Sequence, residues 1–138
     1  MRQIDKLKEI EKSILKFNNI YDSFAKRNKL DRVELDMYLY ISRNLDKNIC
    51  QSDLAQDLYK SPTTISSLIK KEINKDLIYL LLEDDNKKNK IIKLTRKGEE
   101  FLNEVIIPFQ TRLLNSLNFS DNVIYNLVSV FSKIEENN

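Results

Sequence analysis

This sequence has no histidine and no tryptophan, one cysteine (Cys50), one glycine (Gly98) and two prolines among 138 residues. Each absence excludes something. Without histidine there is no Ser-His-Asp or Cys-His catalytic pair and no ordinary zinc site. A lone cysteine cannot staple the chain to itself, and it is the usage expected in a reducing, cytoplasmic compartment. A single glycine leaves nothing from which to build a phosphate-cradling loop. Charge of one sign is also missing: Lys+Arg 23 against Asp+Glu 21 gives a formal +2, so any basic site must be local. No apolar run approaches the ~18 residues of a membrane span. The charged start MRQIDKLKEIEK lacks the apolar segment of a signal peptide. Neither an enzyme nor a resident cofactor or metal is expected.

What is present is helical periodicity. Hydrophobic residues make up 41% and charged residues 32%, a folded-domain balance. Ile4, Leu7, Ile10, Ile14, Phe17, Tyr21 and Phe24 recur at steps of three and four, which predicts one amphipathic helix over 4–26. A second helix is expected over 31–45, apolar nearly all round and therefore central. A short helix over 52–58 follows. Ser61-Pro62 then opens another, with Ser61 as N-cap and Pro62 at the first helical position, running to about Lys75 with Ile65, Leu68, Ile69 and Ile73 inward. The period then changes. Residues 78–83 and 90–95 read as two strands around a polar tip at 84–89. Thr95 caps a helix over 96–117 that Pro108 should kink, and Ser120 caps the last helix, with Phe119 and Ile124 placed as a hydrophobic staple. The expected fold is mainly α: four helices, a β-hairpin wing and two more helices. Residues 1–30 hold the N-terminal helix, 31–97 the next three helices and the hairpin, and 98–138 the C-terminal helices.

Two short helices joined by a tight turn and followed by a hairpin describe a winged helix-turn-helix. The face of the second helix opposite its apolar stripe carries Thr63, Thr64, Ser66, Ser67, Lys70 and Lys71. Small hydroxyl side chains allow close approach to base edges, and lysines reach phosphates. Residues 60–75 hold four Lys against one Glu, and 87–97 hold Lys87, Lys88, Lys90, Lys93, Arg96 and Lys97 with no acid. Positive charge thus gathers where a winged helix needs it.

In Gln51-Ser52-Asp53-Leu54-Ala55-Gln56, in Ser61-Pro62-Thr63-Thr64-Ile65-Ser66-Ser67-Leu68-Ile69-Lys70-Lys71 and in Lys93-Leu94-Thr95-Arg96-Lys97-Gly98, with Glu83-Asp84-Asp85 between, the chain resembles the MarR family of bacterial winged helix-turn-helix transcription regulators. The resemblance implies a homodimer on a pseudo-palindromic double-stranded DNA operator, acting as an effector-responsive repressor, with residues 1–30 as an N-terminal dimerisation helix, 31–97 as the winged helix-turn-helix DNA-binding region and 98–138 as C-terminal dimerisation helices. Expected DNA-binding residues are Gln51, Ser61, Pro62, Thr63, Thr64, Ser66, Ser67, Lys70, Lys71, Lys87, Lys88 and Lys90. Expected dimerisation residues are Ile4, Leu7, Ile10, Ile14, Phe109, Leu113, Leu117, Ile124, Leu127 and Phe131. Tyr21, Phe24, Tyr38 and Tyr40 are candidates for a small-molecule effector pocket, with core packing as the plainer role. Cys50, ahead of a helix N-terminus, is a candidate redox site, with a small half-buried residue as its plainer role. The sequence departs from the family's pattern at several positions. Asn86 and Lys88 stand where the wing carries Asp-x-Arg, Ser67 where arginine is frequent, Glu72 where a core Leu is usual, and Asp76 at a helix-ending Gly. These departures motivate an alternative, a winged-helix module that acts through protein partners.

Overall fold

The computed structural model describes residues 1–83 and 86–136, without the side chains of residues 83, 86–89 and 136. In order, the elements are α1 (Gln3–Arg27), α2 (Arg32–Arg43), β1 (Ile49–Cys50), α3 (Gln51–Asp57), α4 (Pro62–Asn74), β2 (Ile78–Glu83), β3 (Asn86–Leu94), α5 (Arg96–Phe101), a π-helical turn (Leu102–Ile106), α6 (Ile107–Leu117) and α7 (Asp121–Glu136). They fall into two compact units, Met1–Ile107 and Pro108–Asn138.

In the first unit α2 is the centre, and Leu35, Met37, Tyr38, Leu39 and Ile41 are all buried. Its start is fixed by a capping box. The Glu34 N–H donates to Asp31 Oδ1 at 2.9 Å, and the Asp31 N–H donates to Glu34 Oε1 at 3.0 Å. Arg32 ties α2 to α1. Its guanidinium donates to Asp22 at 3.0 Å and Asp36 at 2.9 Å, and lies 4.8 Å from the centre of the Tyr21 ring.

Helix α3 buries Leu54 and Ala55, and α4 buries Ile65, Leu68 and Ile69. Ser61 and Pro62 open α4 as expected, with the Thr64 N–H donating to Ser61 Oγ at 3.1 Å. Ile73, expected inward, is 38% exposed, and Glu72 is buried in its stead. The helical period carries 65, 68, 69 and 72 around one face, so a polar residue occupies the core position.

The sheet has the order β1-β3-β2, all antiparallel. Strand β3 begins at Asn86, not at residue 90, and the expected tip positions 84 and 85 lie outside the described residues. Strand β1 was not expected. It pairs Ile49 with Ile92 and Cys50 with Ile91, which fastens the start of α3 to the base of the wing.

The segment expected as one kinked helix over 96–117 is continuously helical, with the π-helical turn Leu102–Ile106 set between its α-helical ends. Pro108 has no N–H for the carbonyl four residues back, and the strain is taken up one turn earlier. There the Ile107 N–H reaches Leu102 O, five residues back. At Ser120 the cap forms, its Oγ accepting the Val123 N–H at 3.3 Å, while Phe119 and Ile124 both stay exposed.

Candidate nucleic-acid interface

Burial of one side of α4 decides what its other side presents. With Ile65, Leu68 and Ile69 turned inward, Thr63, Thr64, Ser67 and Lys70 are exposed and Ser66 is half-buried. Ser61 and Pro62, at the helix start, are exposed too, although the Ser61 hydroxyl is engaged with the Thr64 N–H and hydroxyl. Gln51 is half-buried at the start of α3, and Lys90 is exposed on β3. These two elements meet at one place. Cys50, Gln51, Ser52, Ala55, Pro62, Ile65 and Lys90 line a cleft of about 270 Å³ where the starts of α3 and α4 face the wing's second strand. Lys87 and Lys88 have side chains outside the described residues.

Lys71 turns away from its neighbour Lys70. Its ammonium donates to Glu34 Oε1 at 2.8 Å and to Asp31 Oδ2 at 3.1 Å, both at the start of α2. Those hydrogen bonds hold the ammonium above the ordinary lysine range. Lys75, one turn on, donates to the other oxygen of Glu34. The α2 capping box thus doubles as a clamp on the C-terminal half of α4. Sequence reasoning missed Glu34 as a site residue, although the Asp31-x-x-Glu34 capping spacing was there to see.

Beneath the clamp lies a third carboxyl group. Glu72 is wholly buried, its Oε1 accepts the Tyr38 hydroxyl at 2.8 Å, and its Oε2 has no hydrogen-bond partner among the described residues. Burial pushes the Glu72 carboxyl up to about 7, and the hydrogen-bonded Glu34 carboxylate beside it adds to the rise. Burial also works to raise Glu34. Hydrogen bonds from Glu72, the Asp31 backbone, Lys71 and Lys75 outweigh it and hold Glu34 well below the usual carboxylate range.

Of the candidate effector aromatics, Tyr21, Phe24 and Tyr38 are buried and Tyr40 is half-buried. Tyr38 is enclosed, edge-on to Phe101 at 5.2 Å, and burial together with Glu72 pushes its hydroxyl far up. Tyr21 sits under Arg32 and edge-on to Phe17 at 5.2 Å, and Phe24 is buried. Tyr40 is on another side of α2, in a surface depression with Asp53, Gln56, Asp57 and Tyr59. Cys50 is half-buried in β1, its N–H donating to Asp53 Oδ2 at 3.2 Å.

Among the expected dimerisation residues, Ile4, Leu7, Ile10 and Ile14 on α1 are 42–53% exposed and Ile124, Leu127 and Phe131 on α7 are 44–48% exposed. Leu113 and Leu117 are half-buried. Phe109 is a correction. It is already buried within one chain and offers no surface to another.

No family model and no curated protein matches this chain. Solved structures do. MepR of S. aureus in its DNA-binding conformation superposes with a TM-score of 0.77 at 17% identity, covering 99% of this chain and 98% of that one. The transcription regulator MarR from Oenococcus oeni PSU-1 gives 0.74 at 20% identity, covering 97% and 99%. The S. aureus MepR–DNA complex gives 0.70 at 17% identity, covering 99% of both. The chain has the winged-helix fold of MarR-family transcription regulators.

Proposed function

We propose that this chain is a sequence-specific DNA-binding transcription regulator that works as a homodimeric repressor in the cytoplasm. The observation that carries the reading is the two-sidedness of α4. Ile65, Leu68 and Ile69 on one side are committed to the core, and its other side offers Thr63, Thr64, Ser67 and Lys70 to solvent beside Lys90 of the wing. A helix so presented fits a major groove, its short hydroxyl side chains against base edges and its lysine on the backbone. Solved relatives in fold include a MepR–DNA complex, which supports the same use here.

Dimerisation follows from exposed apolar surface. Helix α1, at 25 residues about 37 Å long, carries its Ile and Leu stripe uncovered, and α7 does likewise. A second copy is the occupant proposed for these faces. Two recognition helices then read a pseudo-palindromic operator. A small-molecule effector would act by binding the DNA-competent and incompetent dimers unequally.

The test is a gel shift with the DNA upstream of its own gene, at moderate salt with nonspecific competitor. A discrete competitor-resistant complex is expected, and only competitor-sensitive smearing would overturn the reading. One observation favours the alternative of a protein-interaction module. Lys71 and Lys75 are both drawn onto Glu34, so α4 presents fewer cations outward than its sequence promises.

A further inference from the structure

The acidic groups around the start of α2 and the end of α4 do not balance unless one of them is neutral. Asp31 and Glu34 meet Lys71 and Lys75, two carboxylates with two ammoniums. Glu72 is the third carboxyl, wholly buried against Glu34, with Lys75 Nζ at 3.6 Å from its Oε2 and already engaged on Glu34. Tyr38, from α2, spends its one proton on Glu72 Oε1. From α5 come the Phe101 ring, edge-on to Tyr38, and Lys97, whose ammonium donates to the Lys75 carbonyl at 3.1 Å. None of these supplies a donor for Glu72 Oε2. Two buried acceptors facing each other are satisfied only when a proton lies between them.

We propose that Glu72 holds a proton and donates it in a hydrogen bond to Glu34, and that this carboxyl–carboxylate pair is a pH-sensitive lock fixing the C-terminal half of α4 against α2. With the proton in place the cluster is two negative charges against two positive. Without it a third negative charge is buried, the two glutamates repel, and α4 is held less firmly. Its effect on DNA binding rests on the reading of α4 as the recognition helix; the lock itself does not.

The direction of the pH effect follows from linkage. A carboxyl raised from an ordinary 4.5 to about 7 holds its proton more tightly folded than unfolded. Its stabilisation is therefore complete below 4.5 and is lost as pH climbs to about 7. Glu34, shifted the other way, has its full contribution above 4.5, so it leaves that interval undisturbed. The chain has no histidine, so no side chain titrates there at its ordinary value.

The experiment compares wild type with Glu72→Gln by urea unfolding between about pH 5 and pH 8, and follows the glutamate carboxyl carbons by NMR. One wild-type carboxyl should titrate near neutrality and be missing in the variant. The wild-type unfolding constant should rise by up to about tenfold per pH unit to about pH 7 and then level off, while Glu72→Gln stays flat. If every glutamate titrates below about pH 5.5, or if Glu72→Gln keeps the wild-type slope, the lock is refuted. Should Glu72→Gln fail to fold, Glu72→Leu takes its place and the wild-type titration decides. In a third arm, fluorescence anisotropy with a duplex from upstream of its own gene should show several-fold weaker wild-type binding at about pH 8 than at about pH 6, and no such loss in Glu72→Gln. Equal wild-type binding at both values would refute the lock's effect on DNA. No binding at either would sink the recognition-helix reading and leave the carboxyl titration to judge the lock.

Discussion

Gly98 is the chain's single glycine, and it is spent on a close approach rather than on a turn. A Cβ there would lie 1.9 Å from the Leu77 carbonyl oxygen, in the same place where the Thr95 N–H bonds that carbonyl at 3.0 Å. Backbone on both sides leaves no flexible atom to yield. Gly98→Ala should therefore cost about 2–3 kcal/mol in urea unfolding, a large loss for one methyl group. The scarcity of glycine has a second consequence. Helices α1, α3 and α4 all end on left-handed residues that are not glycine: Lys29 at φ 58°, Tyr59 at 54° and Asp76 at 61°. Each end closes with paired bonds, for example Leu77 N–H to Glu72 O at 3.2 Å and Asp76 N–H to Ile73 O at 2.9 Å. Tyr59 is 86% exposed, so its side chain gives little back for the strain. Tyr59→Gly should stabilise the fold by about 0.5–1 kcal/mol, measured by the shift in urea midpoint. Asp76 could be flagged from the sequence, because the family pattern puts glycine there. Lys29 and Tyr59 could not, since nothing in their local sequence announces a left-handed turn.

At the scale of elements, α4 divides its adjacent lysines between two tasks. Lys70 is exposed on the side with Thr63 and Ser67, while Lys71 is bound to Asp31 and Glu34. Lys70→Ala should lower the salt slope of DNA binding by about one ion and leave stability unchanged. Lys71→Ala should loosen the α2–α4 clamp instead, with a smaller change in slope. Glu34→Ala removes the capping box and both lysine partners together and should cost about 2 kcal/mol or more of stability, the lysines' exposure tempering the loss. The two faces of α4 were readable from its periodicity, as were the caps at Ser61, Thr95 and Ser120. Burial of Glu72 in preference to Ile73 was not. It is made tolerable by Tyr38 and Glu34, which lie 34 and 38 positions earlier in the chain, and a one-dimensional pattern holds no record of such partners. Strand β1 escaped for the same reason. Two residues have no period, and only their ladder to Ile91 and Ile92 makes them a strand.

For the whole molecule the account depends on two copies. The uncovered stripe of α1 gives the most accessible lever, because a charge placed on it disturbs no residue buried within the chain. Leu7→Glu should convert a dimer to a monomer in sedimentation velocity while keeping the helical content of the wild type. It should also weaken operator binding by an order of magnitude or more, since two linked half-sites become two separate encounters. The MarR-like organisation was legible from the order of motifs along the chain. Which apolar side chains stay outside was legible only in part, for Phe109 follows the same helical spacing as its neighbours and is nevertheless buried. The most direct test of the central claim is a hydroxyl-radical footprint on the DNA upstream of its own gene. Two protected patches related by a dyad, their centres about one helical turn or a multiple of it apart, are expected for paired α4 helices. A uniformly unprotected duplex, or one patch without its symmetry mate, would contradict the account.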